Sequence, residues 1–181
     1  VYLAEMRATA HRLDDLVEKL QPDVLHAHSP VLAALPAMWV GRRHRIPVVY
    51  EMRALWEDGA VDHGTTATGS LRYRLTRALE SFVLRRADGV TTICEGLRRE
   101  ICARGVPAER VTVIPNAVDP HMFAFDSPID ETLRNRLGLC GKTVLGFIGS
   151  FYGYEGLEML VESFASIRRQ RPDVRLLLVG G

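Results

Sequence analysis

The sequence predicts an α/β protein with parallel sheets. Short apolar runs alternate along the chain with segments whose apolar residues recur at helical spacing. Alternating strands and helices are typical of βαβ units, in which the strands lie parallel and the helices cover the sheet. The run at 46–52 is apolar without a regular polar alternation, which favours a strand covered on both faces.

The first elements are a long helix, a short strand and a second helix. Apolar residues recur at helical spacing over 2–20, and Pro22 closes that helix. A strand covers 23–28. The next helix begins at Ser29-Pro30, because a proline in the first turn loses no hydrogen bond, and it extends to about residue 43. Pro36 within it predicts a kink or an early end.

After the strand at 46–52 the pattern dissolves over 53–70, and a loop of this length is usually functional or disordered. The helix predicted over 71–87 has a clear apolar face, made of Leu71, Leu75, Leu79, Phe82 and Val83. The remaining predicted elements of this part are a strand at 88–93, a helix at 95–104 that ends at Gly105, and a strand at 111–114.

A domain boundary is predicted near Pro115-Asn116, giving domains at 1–115 and 116–181. No strand pattern appears between 115 and 141, where prolines accompany one short helix at about 130–137. Beyond this segment the chain predicts a second βαβ unit. Its parts are a strand at 143–148, a helix at about 155–169 and a strand at 174–179.

Three glycines punctuate the turn between that strand and helix: Gly149, Gly153 and Gly156. Glycine allows a tight turn and a close approach of a ligand, and the unpaired amides at a helix N-terminus attract anions. The spacing matches neither a dinucleotide fingerprint nor a P-loop. The turn therefore predicts a phosphate site, with a tight turn that binds no ligand as the alternative.

Composition excludes several classes of function. The 181 residues carry 23 Lys and Arg against 22 Asp and Glu, so no global basic charge indicates nucleic-acid binding. No apolar stretch reaches membrane-spanning length. The three cysteines suit a reducing compartment better than disulfides. Because the chain opens at Val1 inside a helical pattern and stops at Gly181 directly after a strand, we expect it to be a segment of a longer protein.

Charged side chains cluster where the strand at 46–52 ends, the edge at which ligands bind open α/β sheets. Glu51 is a candidate general base, and Arg53 is a candidate ligand for a phosphate or carboxylate. A Glu–Arg ion pair that closes the strand is an equally good interpretation. The same cluster continues into the following loop with Trp56, Glu57 and Asp58.

His26 and His28 lie two residues apart on one strand, so both face the same side. A metal pair is conceivable. We favour histidines that form hydrogen bonds with their neighbours, because no carboxylate or cysteine at ligand spacing joins them.

Five arginines of the helix at 71–87 lie off its apolar face: Arg72, Arg74, Arg77, Arg85 and Arg86. Such a helix is consistent with contact to an anionic membrane surface. The alternative is an ordinary surface helix with solvated cations.

Several segments together resemble the family-4 glycosyltransferases of the GT-B fold, and the resemblance covers nearly the whole chain. Glu51-Met-Arg-Ala-Leu-Trp-Glu-Asp58 resembles the bacterial branch that builds exopolysaccharides, in particular the glycosyltransferases associated with exosortase systems. The other segments are Asp23-Val-Leu-His-Ala-His28, Ile46-Pro-Val-Val-Tyr50, Ala87-Asp-Gly-Val-Thr-Thr-Ile93, Val113-Ile-Pro-Asn-Ala-Val-Asp119 and Gly149-Ser-Phe-Tyr-Gly-Tyr-Glu-Gly156.

The resemblance implies two Rossmann-like domains across a cleft, both incomplete in this chain. It implies retaining transfer of a sugar from a nucleotide-sugar donor to a glycan or lipid-linked acceptor, without a metal or other cofactor. Because Arg53 stands where many members carry a histidine, we take Glu51 and Arg53 as the candidate catalytic residues instead. The other implied contacts are Gly149, Ser150, Phe151, Gly153 and Gly156 for donor phosphate, His26, His28, Trp56, Glu57 and Asp58 for acceptor, and Asn116 and Asp119 between domains.

Three positions depart from the family pattern. Ser150 and Glu155 stand where members commonly carry Arg and Lys, and Arg53 stands where many carry His. We expect the parent enzyme to act in the cytoplasm or at the inner face of the membrane, and this segment alone to be inactive. The alternatives are a sugar-nucleotide epimerase of the same fold and a non-catalytic nucleotide- or sugar-binding module.

Overall fold

A computed structural model of the protein describes residues 2–123 and 128–181. The chain divides into two compact units between Ala117 and Val118. Each unit has its own parallel β-sheet. The α/β class and the parallel strands predicted from the sequence are confirmed.

The first unit is an alternating series of helices and strands around one four-stranded sheet in the order β1-β2-β3-β4. All neighbouring strands are parallel, and their carboxyl ends therefore lie at one edge. The elements are α1 (Tyr2–Leu20), β1 (Leu25–His28), α2 (Val31–His44), β2 (Val48–Met52), α3 (Trp56–Asp62), α4 (Leu71–Arg86), β3 (Gly89–Thr92), α5 (Glu95–Ala103) and β4 (Val111–Val113).

The core of this unit lies on one face of the sheet. Along β2, Val48, Tyr50 and Met52 are buried, whereas Val49 and Glu51 are only partly covered. Residues of α2, α4 and α5 complete the same hydrophobic cluster. The expectation that β2 is covered on both faces is therefore met in full on only one face, and the second face, with Val49 and Glu51, is partly covered.

Two local predictions are corrected by tertiary contacts. The segment 53–70 is not a continuous loop, because α3 forms within it. Pro36 does not end α2, which continues to His44 with Pro36 buried inside it, whereas the kink predicted as the alternative stays a prediction. The proline nitrogen carries no hydrogen and cannot donate to the helix. The loss of this hydrogen bond is tolerated because the neighbouring residues of the helix are packed against the core.

The apolar face identified from the sequence is not the buried side of helix α4. Its buried side is formed by Glu80, Ser81, Val83 and Leu84. Of the five residues on that apolar face, only Val83 is buried, and the other four are exposed: Leu71, Leu75, Leu79 and Phe82. Helical periodicity finds an apolar stripe but does not say which side of the helix meets the core.

The second unit contains a two-stranded parallel sheet and one long helix. Thr143 pairs with Val174 and Ile148 with Val179, so the register continues along both strands. Between 115 and 141 none of the described residues lies in a strand, and residues 124–127 fall outside the described residues. The elements are α6 (Glu131–Arg136), β5 (Thr143–Ile148), α7 (Leu157–Gln170) and β6 (Val174–Val179).

Two further findings concern the chain as a whole. Cys94, Cys102 and Cys140 are free thiols. Among the described residues, no helix combines the length and the hydrophobicity required to cross a bilayer.

Candidate functional site

Polar side chains gather on the open face of the first sheet, at its carboxyl edge. In β1 the buried residues alternate with His26 and His28, which point to the other face. The register places His28 beside Glu51 of β2. Because neighbouring strands bring their side chains to within contact distance, three polar groups from two strands meet here.

Glu51 is the centre of this cluster. Its Oε2 atom lies 3.1 Å from Nε2 of His26 and 3.5 Å from Nδ1 of His28. The two imidazole rings stack with their centroids 4.8 Å apart. Glu51 is only partly exposed, with 18% of its side chain accessible, and one of its carboxylate oxygens contacts both rings.

Arg53 adds a cation beside the same carboxylate. Its Nε atom lies 3.6 Å from Oε1 of Glu51, and its Nη2 donates to Oδ1 of Asn116 at 3.4 Å. The backbone N–H of Arg53 donates to Oγ of Ser29, which follows β1. About half of the Arg53 side chain is exposed, so the guanidinium retains donors for an anionic ligand.

The sequence argument against a metal site at His26 and His28, that no carboxylate joins them, is wrong. Glu51 is a carboxylate at ligand spacing, brought to the histidines by strand pairing rather than by the local sequence. One ligand atom from each of His26, His28 and Glu51 lies within 4.8 Å of the others. Two imidazoles and one carboxylate can bind Zn²⁺ or a related divalent ion. The expectation that no metal takes part stays a prediction.

The three residues predicted next to this edge have different environments. Trp56 is 43% exposed. Asp58 accepts a hydrogen bond from the Tyr73 hydroxyl at 2.8 Å, and this bond raises the pKa of Tyr73. Glu57 is buried, and its Oε1 lies 2.5 Å from Nη2 of Arg104. In this conformation Glu57 cannot reach an acceptor, so its predicted contact does not agree with its position.

A buried carboxylate supports the candidate site from behind. Glu80 of α4 accepts a hydrogen bond from the Tyr50 hydroxyl at 2.6 Å and another from the backbone N–H of Val31 at 2.9 Å. Tyr50 precedes Glu51 in β2, and Val31 is the first residue of α2, just after the turn that follows His28. Glu80 therefore fixes both chain segments that carry the cluster.

The apolar surroundings change the ionisation of this pair. Burial raises the pKa of Glu80 and, together with the neighbouring carboxylate, also raises the pKa of Tyr50. Desolvation disfavours the charged form of each group. Tyr50 thus remains a hydrogen-bond donor to Glu80.

The glycine turn of the second unit ends in an uncapped helix N-terminus. A 3-10 turn at Gly153–Glu155 precedes α7, and the N-cap residue is Gly156 with φ of +70°, a conformation that favours glycine. No side chain caps α7, so the amides of its first turn remain available to a ligand. Glu155 lies before the N-cap and is exposed.

The carboxyl ends of β5 and β6 approach each other closely. The N–H of Gly149 donates to the carbonyl of Val179. A Cβ atom at Gly180 would lie 1.8 Å from the carbonyl oxygen of Gly149, so only glycine fits there. Ser150 is exposed at this edge, and Phe151, also exposed, packs toward Phe147 at 6.2 Å.

The two residues predicted to lie between domains fall on different sides of the boundary. Asn116 belongs to the first unit, where it contacts Arg53. Asp119 belongs to the second unit and accepts a hydrogen bond from the N–H of His121. Their predicted interdomain role remains a prediction.

Sequence reasoning missed Glu80 and Arg104. Glu80 lies in α4 and Arg104 directly follows α5, and both side chains are buried. A signal for Glu80 was present: it is the single acidic residue of α4, on the side of the helix opposite Leu71 and Leu75. Assigning that apolar stripe to the exterior would have placed Glu80 in the core.

Comparison with known proteins identifies one family. The sequence profile of the glycosyl transferase 4-like domain matches residues 2–117. A 2-deoxystreptamine glucosyltransferase of Streptomyces kanamyceticus is 32% identical over 67% of this chain and 32% of its own length. A GDP-mannose-dependent alpha-mannosyltransferase of Mycobacterium tuberculosis (strain CDC 1551 / Oshkosh) is 29% identical over 88% of this chain and 39% of its own length.

Solved structures share the fold. Anabaena Alr3699/HepE, in complex with UDP and glucose, matches with a TM-score of 0.72 and 19% identity, over 93% of this chain and 42% of that protein. A UDP-GlcNAc 2-epimerase from Neisseria meningitidis, bound to UDP-GlcNAc, matches with a TM-score of 0.58 and 15% identity, over 100% of this chain and 48% of that protein. The chain thus spans less than half of the length of each of these proteins.

Proposed function

Because the chain belongs to the glycosyl transferase 4-like family, we propose that the whole protein transfers a sugar from a nucleotide-sugar donor to an acceptor. The observation that carries this proposal is the family match over the unit that holds the cluster around Glu51. That cluster offers a carboxylate, two imidazoles and a guanidinium on one open sheet face. Such groups can bind hydroxyls and move protons.

We assign the acceptor side to the first unit. Glu51 either accepts the proton of an acceptor hydroxyl or orients His26 and His28 so that one of them does. Arg53 holds an anionic group, either a donor phosphate or a phosphate of a lipid-linked acceptor. Trp56, half exposed, provides an apolar surface on which a sugar ring can stack.

We assign donor binding to the second unit. The uncapped N-terminus of α7 offers amides to a diphosphate, and the glycines before it keep side chains away from that approach. Glu155, which stands where relatives commonly carry Lys, lies ahead of the N-cap and outside the first helical turn. Ser150 supplies a hydroxyl where relatives commonly have a cation.

The finer proposal is a retaining hexosyl transfer in the synthesis of a bacterial surface polysaccharide, without a metal. It rests on the resemblance of Glu51–Asp58 to the exopolysaccharide branch. The relatives' names differ in donor: the mannosyltransferase is GDP-mannose-dependent, and HepE was solved with UDP and glucose. The donor base is therefore the first property to measure.

The rival enzyme is an epimerase, which would convert its nucleotide sugar without an acceptor. Epimerase structures share the fold, but HepE has the higher TM-score, 0.72 against 0.58. A product that forms only when acceptor is present excludes this rival. A non-catalytic module would bind nucleotide without turnover.

We expect one nucleoside diphosphate to stabilise the full-length protein. In a thermal melt with UDP, GDP, ADP or NAD, a ligand present at about 100 times its Kd adds about 2.7 kcal/mol of stability. A shift with UDP or GDP alone supports the transferase and identifies the donor base. A shift with NAD alone contradicts it.

We expect Glu51→Gln to lower kcat/KM of the full-length enzyme by about 100-fold or more, because the amide keeps the shape but loses the charge and basicity. Nucleotide affinity, measured by the same thermal shift, should change little. The matched control is Glu95→Gln, which removes an exposed carboxylate of the same unit. Equal activity of the two variants would remove Glu51 from the catalytic role.

A further inference from the structure

Helix α4 exposes an apolar stripe made of Leu71, Leu75, Leu79 and Phe82. Their exposed fractions are 74%, 55%, 46% and 39%. The spacing of four, four and three residues places them on one side of the helix. The opposite side, with Glu80 and Leu84, is the one that packs on the core. The stripe extends over about three turns of helix, or roughly 17 Å.

Arginines border this α4 stripe on both sides. Arg72 and Arg86 follow one side of it, and Arg74 and Arg85 follow the other, by the 100° rotation per residue of a helix. The guanidinium of Arg86 lies 5.0 Å from the ring centre of Phe82. The single acid of the helix, Glu80, is fully buried. The exposed surface of α4 is therefore apolar along its centre and cationic along its margins.

None of these four arginines forms a salt bridge with a carboxylate in the part of the chain that the structure describes. Arg72 and Arg85 donate instead to backbone carbonyls, those of Thr65 and Arg104. Such bonds leave the positive charge uncompensated. The four arginines therefore present net positive charge to any partner that covers the α4 stripe.

The surface continues from Phe82 into a groove between α2 and α4. The groove has a volume of about 590 Å³. Trp39 of α2 is half exposed, and the guanidinium of Arg43 lies 5.8 Å from its ring centre. The groove-lining residues are mainly aromatic, aliphatic and cationic, among them Leu35, Met38, Trp39, Arg42, Arg45 and Arg86. One acid, Asp88, also lines the groove, and its carboxylate accepts a hydrogen bond from the N–H of Val48. The same combination of residues therefore extends over two neighbouring helices.

We propose that the α4 stripe and the adjoining groove between α2 and α4 dock the protein on an anionic lipid bilayer. Leucine and phenylalanine side chains enter the boundary between headgroups and acyl chains, and the arginines on both margins contact lipid phosphates. Tryptophan and arginine are the residues that favour this interface. Charge complementarity selects this occupant, because a cationic margin on both sides matches a planar anionic surface. The inference does not depend on transferase activity, since docking requires neither donor nor acceptor.

The test is vesicle sedimentation of the full-length protein without substrates. We expect binding to vesicles of phosphatidylcholine mixed with phosphatidylglycerol, weak binding to phosphatidylcholine alone, and a loss of binding as salt is raised. The double variant Leu75→Gln/Leu79→Gln should abolish binding. The double variant Arg72→Gln/Arg86→Gln should weaken it by about fivefold for each charge removed.

Exposed residues of α1 provide matched controls. Leu3→Gln/Leu20→Gln and Arg7→Gln/Arg12→Gln make the same chemical changes on another exposed surface and should leave binding unchanged. Equal binding to neutral and anionic vesicles, or equal losses in the control variants, would overturn the proposal. So would undiminished binding by the two α4 variants.

Two other occupants give distinct results. If a second copy covers the stripe, the full-length protein elutes as a dimer that Leu75→Gln/Leu79→Gln dissociates, and it does not sediment with vesicles. If another part of the same protein covers it, the leucine variant melts at a lower temperature and vesicle binding is absent. Either result overturns lipid docking, and the arginine variant keeps the test valid if the leucine variant fails to fold.

Discussion

Substitution of Arg104 by leucine is expected to lower the free energy of unfolding of the protein by about 3–5 kcal/mol. Arg104 and Glu57 are the most deeply buried ion pair described, with side-chain exposures of 2% and 0%. Removing the cation leaves the carboxylate of Glu57 uncompensated in the interior. Its Oε2 atom already has no hydrogen-bond partner among the described residues, so the protein has little with which to replace the lost contact.

Urea denaturation followed by tryptophan fluorescence measures this effect directly. The protein contains two tryptophans, Trp39 and Trp56, and both lie in the unit that holds the ion pair. The matched control is Arg99→Leu, an exposed arginine of α5, the helix that ends just before Arg104, and it should change stability by about 0.5 kcal/mol or less. Similar losses of stability in the two variants would show that the buried ion pair stabilises the protein no more than an exposed arginine does.

A double variant separates the loss of attraction from the cost of burying a charge. Glu57→Gln/Arg104→Met removes both charges and keeps most of the side-chain volume. Because a buried pair replaced by neutral groups of similar size is often nearly neutral, we expect this variant to recover most of the stability lost in Arg104→Leu. A double variant as unstable as the single one would contradict the charge explanation.

Substitution of Glu80 by alanine is the second large expected loss, at about 3 kcal/mol or more. The change leaves the Tyr50 hydroxyl and the Val31 N–H without their acceptor in the core, and it adds a cavity. Glu80→Gln is the matched variant, since its amide oxygen can accept from Val31 and its amide nitrogen can donate to Tyr50. We expect it to retain most of the stability in the same urea titration. Equal losses of stability in Glu80→Ala and Glu80→Gln would show that a side chain of the same shape cannot replace the carboxylate.

Glu80→Gln should also change how stability depends on pH. Burial raises the folded-state pKa of Glu80 above its ordinary value of 4.5. The protonated form is favoured by folding, so this group's stabilising contribution is complete below pH 4.5 and is lost as pH rises through the raised pKa. Over that window the wild type should lose stability relative to Glu80→Gln. A constant difference between the two proteins across this pH range would contradict the raised pKa.

The strands and most helices were predictable because their signals are local. Apolar runs located the strands of both sheets, and Gly105, with φ of +88°, ends α5 as the sequence indicated. The helix α3 was not predictable, since Leu55 offers no capping side chain and Gly59 weakens the pattern. The contacts that hold α3 are distant in sequence: Glu57 with Arg104, and Asp58 with Tyr73.

The candidate site was predictable only in part. The rule that ligands bind at the carboxyl ends of parallel strands selected Glu51 and Arg53, and the structure places both at that edge together with the two histidines. The contact between His26 and Glu51 depends on strand register, which a single strand does not encode. The orientation of α4 likewise depends on a contact distant in sequence, the hydrogen bond from the Tyr50 hydroxyl to Glu80 in the core.

The alternation along β2 has a consequence for errors in folding. Tyr50 and Met52 are fully buried, while Glu51 between them is at the candidate site. A slip of one residue in the pairing of this strand would expose the tyrosine and force the carboxylate into the core. A misregistered chain would therefore lose the cluster around Glu51 and the stability of the core together, and chains destabilised in this way are removed by cellular proteases.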